Sequence, residues 1–397
     1  MNLRILKKMV IGTTIASMMV GLVACGGSKT ETAGKETKKT EKKTEKKEEE
    51  ANPYKDLKVG ALLIGSKDDT SGYSYAHSQG IRTAVQSLGM TEDQIVWKDL
   101  IPDNMDEAAD AKVIAAGEEC IKEGCKVIFT TSWGYMNGTK TLAEKYPDVY
   151  FAHGTGNLCN GKNFINYFGR IYQARYLSGI AAGLKTKTNK IGYVSAWGTD
   201  NAECTGGINA FAMGVASVNP AAKVYVRATN SWFDPAKEKA AAEWLLTAKC
   251  DVMAQHVDTA EPQVAAEKVG AFSIGLNSDM SKEAPNAVLT SVLWHWDAFY
   301  TWAIQAVGEG TWDGKNYLGG LNEGMVSIAP LSALNDPGAQ AKIDEATTKM
   351  KEGSWDVFTG VIPTNTGTTV GTAGASLSDD DILFKTNWYY QNVVATN

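Results

Sequence analysis

Short apolar runs of strand length alternate along this chain with longer stretches whose apolar positions recur at helical spacing. Residues 57–64 (LKVGALLI) form a nearly unbroken apolar run, the pattern of a strand buried on both faces. A Gly/Asp/Ser-rich loop follows, and the spacing predicts a helix over about 74–88. Further strands are predicted at 94–98, 126–130 (KVIFT) and 149–153, with a helix at 105–123. After a long helix at 171–186 the alternation resumes, with strands at 190–196, 223–229, 251–255 and 271–275. Helices are predicted between them near 204–218, 235–248 and 260–269. Asp234-Pro235 marks one helix start, with Asp as N-cap and Pro where a backbone N–H has no helical partner anyway. Repeated strand–helix units indicate parallel sheets covered by helices on both faces, an α/β fold.

The cycle runs twice, once before and once after about residue 168, so two α/β lobes enclosing a cleft are expected. In open α/β sheets, ligands sit beyond the carboxyl ends of the strands. The loops at those ends read GSKDDTSGYSYAHSQG after residue 64, TSWGYMNG after 130 and WGTDNAE after 196. NSWFDP follows 229, HVDTAEP follows 255 and LNSDM follows 275. Each brings an aromatic ring, a carboxylate or an amide to the same edge, the composition of a small-molecule pocket.

The N-terminus is of another kind. Arg4, Lys7 and Lys8 precede an apolar run over 9–23 that ends Leu22-Val23-Ala24-Cys25, the plan of a secretory signal. The run falls short of the ~20 residues a spanning helix needs. Leu-Val-Ala-Cys resembles the lipobox of bacterial lipoproteins, which implies a signal peptide at 1–24 and acyl chains, palmitate among them, on Cys25. Two such chains bury enough CH₂ groups for stable anchoring. The following KTETAGKETKKTEKKTEKKEEEAN lacks aromatic residues and almost any apolar ones, so residues 25–53 are expected to be a lipidated, disordered linker.

Apolar residues make up 44% and charged residues 21% of the chain, as in globular proteins. A net charge of −6 gives no reason to expect nucleic acid. Eleven tryptophans and fifteen tyrosines supply stacking faces for flat rings. Five cysteines besides Cys25 cannot all pair, and no C-x-x-C occurs. Cys120 and Cys125 are close enough for a local bridge, but buried free thiols are the expected state. His77, His153, His256 and His295 have no second ligand at metal spacing, so neither a metal nor another cofactor is expected.

Several stretches resemble the basic membrane protein (BMP) family of substrate-binding lipoproteins of ABC transporters. They are GYSYAHSQG (72–80), TSWGYM (131–136), YFGRIYQARYLSGIAAG (167–183), GGINAFAMGVASVNP (206–220), NSWFDPAKEKAAAEWLL (230–246), AQHVDTAEPQ (254–263) and GLNSDM (275–280). The resemblance implies a type I periplasmic-binding-protein fold, two Rossmann-like lobes closing on a ligand, with crossings near 165–170, 288–294 and 321–326. It places lobe 1 at 54–168 plus about 293–322, and lobe 2 at 169–292 plus about 323–397. It further implies a monomer on the extracytoplasmic face of the cell membrane, handing a purine base or nucleoside to an ABC permease.

Tyr73 and Trp133 fall where relatives carry aromatic residues and are candidate stacking faces. Trp197 and Trp232 follow second-lobe strands and could close the sandwich. Asp68 lies in the region of the nucleoside-binding motif, whose Lys, Phe, Asn and Gln are missing here, which favours an adenine-like base. Asp258 and Asp279 could accept from ring N–H groups or an exocyclic amine, or could cap helices. Asn277 offers both donor and acceptor to a purine edge. Trp296, near a crossing, walls the cleft or packs its helix. Riboflavin, a sugar or an autoinducer are alternative ligands, and a signalling receptor is an alternative role. A nucleoside-hydrolysing enzyme is disfavoured because no nucleophile–base set, metal spacing or phosphate loop stands out.

Overall fold

The computed structural model describes residues 52–396, so the expected signal peptide, the Cys25 lipidation site and the Lys/Glu-rich stretch up to residue 51 lie outside the described residues. Among the described residues no helix is long and apolar enough to cross a membrane.

The first half of the chain runs β1 (Lys58–Leu62), α1 (Gly72–Ser87), β2 (Ile95–Lys98), α2 (Glu107–Lys122), β3 (Cys125–Thr130), α3 (Met136–Lys145), β4 (Tyr150–Gly154) and β5 (Phe164–Gly169). The second repeats the cycle with α4 (Ile171–Lys185), β6 (Lys190–Ser195), α5 (Ala202–Val218), β7 (Lys223–Ala228), α6 (Pro235–Thr247), β8 (Val252–His256), α7 (Glu261–Lys268), β9 (Phe272–Asn277) and β10 (Val288–Trp294). Then come α8 (Trp296–Gly308), β11 (Tyr317–Gly319), β12 (Val326–Ile328) and α9 (Ala339–Lys351). A short antiparallel pair, β13 (Ile362–Pro363) and β14 (Thr369–Val370), precedes α10 (Asp379–Phe384) and β15 (Val393–Thr396).

Two sheets form. The first has the order β2-β1-β3-β4-β5-β11, with every pair parallel. The second has the order β15-β7-β6-β8-β9-β10-β12, parallel except for the β10–β12 edge. Both halves thus carry the same doubly wound strand order, and each has its switch point where ligands bind in such sheets. The chain passes between sheets three times: from β5 to α4 at Gly169–Ile171, from β10 to α8 at Trp294–Trp296, and from β11 to β12 over 319–326. After the second passage α8 packs against α1 beside the first sheet.

Local chemistry explains the framework. Four of the five residues of β1 are buried, as a strand covered on both faces requires. Asp106, Asn201 and Asp234 each accept a backbone N–H in the first turn of α2, α5 and α6, and Pro235 stands at the start of α6 as its sequence predicts. Helix α4 is buried over most of its length and sits between the second sheet and α5. One continuous apolar core contains Ile81 of α1, Leu177 of α4, Phe211 of α5 and Tyr300 of α8. The five described cysteines are free thiols; four are buried, while Cys159 is exposed.

Candidate functional site

Backbone at the carboxyl ends of the strands turns unusually often through the left-handed region: Leu100 after β2 (φ 57°), Thr155 after β4 (φ 65°), Asn230 after β7 (φ 54°) and Asn277 at the end of β9 (φ 68°). Asn tolerates this conformation, whereas a β-branched Thr is an outlier there. Such positions persist only where the surroundings over-determine them, and they cluster at ligand sites.

On the first lobe, Tyr73 lies in the opening turn of α1, with its hydroxyl donating to the Thr131 carbonyl at 2.5 Å. Its ring meets His77 edge-on at 4.4 Å. Trp133 opens the turn after β3 and stays 37% exposed, the largest free ring face of that loop. The loop is held from two sides. His153 Nε2 donates to the Ser132 carbonyl at 2.7 Å, and the Ser132 hydroxyl donates to Asp103 at 2.6 Å. Burial drives the His153 pKa down to about 4, so the ring is neutral and its one N–H is committed to this bond.

On the second lobe, Asp258 follows β8. Its N–H donates to the Trp232 carbonyl at 2.9 Å, and its carboxylate accepts from Asn277 Nδ2 at 2.9 Å. Burial pushes its pKa up to about 7 against the Asn277 bond, and the charges of Glu238, Glu203 and Asp103 add to the rise. Trp232 meets the edge of His256, and Trp197 packs half-buried beside it in the same apolar cluster. Below them His256 Nε2 lies 3.7 Å from Glu203, and the buried Arg175 donates to the Gln255 carbonyl at 2.5 Å. Burial first, then the nearby Arg175 charge, lowers the His256 pKa to about 4.

The lobes touch directly. A Cβ placed on Gly72 (φ +84°), at the start of α1, would lie 2.8 Å from the Asp258 carbonyl oxygen. Only glycine combines that dihedral with that approach. The Asp258 carboxylate is thus brought into the electrostatic field of the first-lobe residues Asp103 and Tyr73.

Tyr73, Trp133, Trp197, Trp232, Asp258 and Asn277 therefore belong to the facing carboxyl edges. Three other sequence candidates are placed differently. Asp68 pairs with Lys67 at 2.6 Å on the exposed side of its loop. Asp279 is exposed and caps the turn at Met280–Lys282, accepting from Ser281 N. Trp296 is buried with both faces covered, stacked 4.2 Å from His77 and 4.4 Å from Trp294. Among the described residues its Nε1 and the Nε2 of His77 have no hydrogen-bond partner.

The structure adds residues that the sequence does not single out within its loops. Asp103 sits in the loop after β2, where the carboxyl-end rule points as surely as it does after β1 and β3. Glu203, in the first turn of α5, adds its charge beside both Tyr73 and Asp258. Phe384 of α10 comes within 6.5 Å of Trp133, ring centroid to ring centroid, from just over 250 residues downstream, and no local signal announces it.

Residues 57–355 match the family of PnrA-like ABC transporter substrate-binding proteins. A purine-binding protein of Brucella abortus is 37% identical over 338 residues, covering 85% of this chain and 93% of the relative. A putative ABC transporter glucose-binding protein of Haloferax volcanii is 36% identical over 254 residues, 64% of this chain and 62% of the relative. The fold is shared with a solved ABC solute-binding protein from Conexibacter woesei, with a TM-score of 0.62, 17% identity, and coverage of 76% of this chain and 98% of that one. It is shared equally with a transcriptional activator of the comK gene from Bacillus halodurans, with a TM-score of 0.64, 20% identity, and coverage of 75% and 99%.

Proposed function

This chain belongs to the family of PnrA-like ABC transporter substrate-binding proteins, and from that premise we propose that it captures a purine base or nucleoside, an adenine-like base foremost. The family and its relatives bind solutes rather than transform them, so the chain's partners are a small-molecule ligand and a permease, outside the cytoplasm. In our reading the Cys25 lipid holds it to the membrane face beside that permease. Trp133 and Tyr73 of lobe 1, with Trp197 and Trp232 of lobe 2, offer rings to the heterocycle. Asp258 and Asn277 read its edge.

The observation that carries this reading is the Asp258–Asn277 pair. It sets a carboxylate, an amide donor and an amide acceptor side by side at a strand end, beside the opening turn of α1 that bears Tyr73. A purine edge with adjacent N–H and ring-nitrogen positions is complementary to that set. The name of the Haloferax relative supports a sugar as the second reading.

Calorimetric titration of the soluble fragment with adenine, adenosine, riboflavin and glucose tests the proposal. Adenine or adenosine should bind in the micromolar range or tighter, and Trp133→Ala should weaken that binding about tenfold, the loss of one ring contact. Saturable binding of glucose with none of either purine would replace the purine reading by the sugar one.

A further inference from the structure

One buried side chain joins the loops that follow β7 and β8. Glu238 stands in the first turn of α6 and is fully buried. Its Oε1 accepts the backbone N–H of Asp234 at 3.0 Å, while the Asp234 carboxylate accepts from Lys237 N at 3.0 Å. That exchange resembles a capping box, which needs only one oxygen of the glutamate.

Here the second oxygen is engaged as well. Oε2 accepts the Thr259 N–H at 3.2 Å and the Thr259 hydroxyl at 2.5 Å. Between these two grips the loops bond directly, from Asp258 N to the Trp232 carbonyl at 2.9 Å. Glu238 thus holds each loop close to the group it presents: Asp234 lies two residues beyond Trp232, and Thr259 one beyond Asp258. Gln255 stiffens the same stretch from the strand side, its Nε2 donating to the Val257 carbonyl at 2.9 Å and the Thr259 carbonyl at 2.8 Å.

The donor set specifies a carboxylate. Two backbone N–H groups, one on each oxygen, converge on it together with a hydroxyl. Burial raises its pKa, and the Thr259 and Asp234 donors pull it back down. A glutamine of the same shape accepts at only one oxygen and turns its NH₂ against the other N–H. A buried donor left without an acceptor is costly, so with glutamine the two loops could not both stay seated.

We propose that Glu238 is a positioning residue of the binding site: by stapling the loop of Trp232 to the loop of Asp258, it fixes the carboxylate that meets Asn277. It acts through Asp258 and not by touching the ligand. The proposal rests on the reading of Asp258 as a recognition group, which must be held within about 0.5 Å of its productive place.

The test uses the chain from Asn52 onward, which lies within a single compact unit, with adenine, adenosine, riboflavin and glucose as probes. Glu238→Gln should weaken whichever probe binds the unaltered protein about tenfold. Thr259→Val, which removes only the hydroxyl grip, should weaken it about threefold, and Thr259→Ser should retain it. In the Asp258→Asn background Glu238→Gln should cost clearly less, because it acts through that carboxylate. Unchanged affinity in Glu238→Gln, or an undiminished cost in the Asp258→Asn background, overturns the proposal. Should Glu238→Gln fail to fold, Thr259→Val decides in its place, and unchanged affinity there overturns it. Hydrogen exchange without ligand separates positioning from general loosening. The Asp258 amide should exchange faster in Glu238→Gln or Thr259→Val while the β8 amides keep their rates; equal acceleration of both overturns the positioning role. If none of the four probes binds the unaltered protein, the ligand reading above falls, and the exchange rates still decide the staple.

Discussion

Asp258 carries a proton further toward neutrality than an ordinary carboxyl, and the consequence has a definite sign. Its folded pKa of about 7 stands above the unfolded value, so between about pH 4 and 7 the folded state binds the extra proton. Stability contributed by this group is therefore greatest below pH 4 and declines as pH rises to 7, by on the order of a few kcal/mol. Thermal unfolding of the ligand-free protein should show Asp258→Asn with a flatter profile over that window and a higher melting temperature at pH 8. An unchanged profile would mean that Asp258 titrates as an exposed carboxyl. The strand-end rule singles out Asp258, Asn277 and Trp133 from sequence because each follows directly on an apolar run. It cannot rank them. That Asp279 caps a turn while Asp258 meets Asn277 depends on the left-handed turn at Asn277, which no local pattern reveals.

At the scale of elements, the tightest contact lies between α4 and α5. A Cβ on Gly179 would run into the Phe211 carbonyl, and one on Gly214 into the Tyr176 carbonyl. The two helices thus approach backbone to backbone at both points. Gly214→Val should destabilise the protein by about 1–3 kcal/mol or more through overpacking, read as a melting temperature lowered by several degrees. A neutral result would show that the helices can slide apart. Helix α9 and strands β10, β11 and β12 drew no expectation, whereas most elements of the two repeats were legible because their apolar periodicity is long and strong. Helix α3 was not, since MNGTKTLAEK buries few positions. Strand β5 was missed because Asn166 interrupts its apolar run and it passes almost directly into α4. The elements after residue 356 are too short to print a period at all.

For the molecule as a whole, the duplicated strand order is what the sequence shows most clearly, because each half repeats the same run of strand and helix lengths. Less visible is how the far end of the chain serves the repeat. Strand β15 adds a parallel edge to β7, and with α10 it returns the chain to the second lobe after α8 and β11 have visited the first. Those returns join residues more than a hundred positions apart, such as Arg170 and Asp379, and no spacing rule reaches that far.

On the cleft-binding reading proposed above, the seating of Gly72 on the Asp258 carbonyl makes ligand exchange a timed event. While that contact stands, the facing edges are held together and a ligand between them must wait for the lobes to part. Association measured by stopped flow should therefore approach a ceiling as ligand concentration rises, the ceiling being the opening rate. Gly72→Ala would wedge a methyl group into the seat, raise that ceiling and shorten the bound lifetime. A rate that climbs linearly without limit, unaffected by the wedge, would show that the gate is always open.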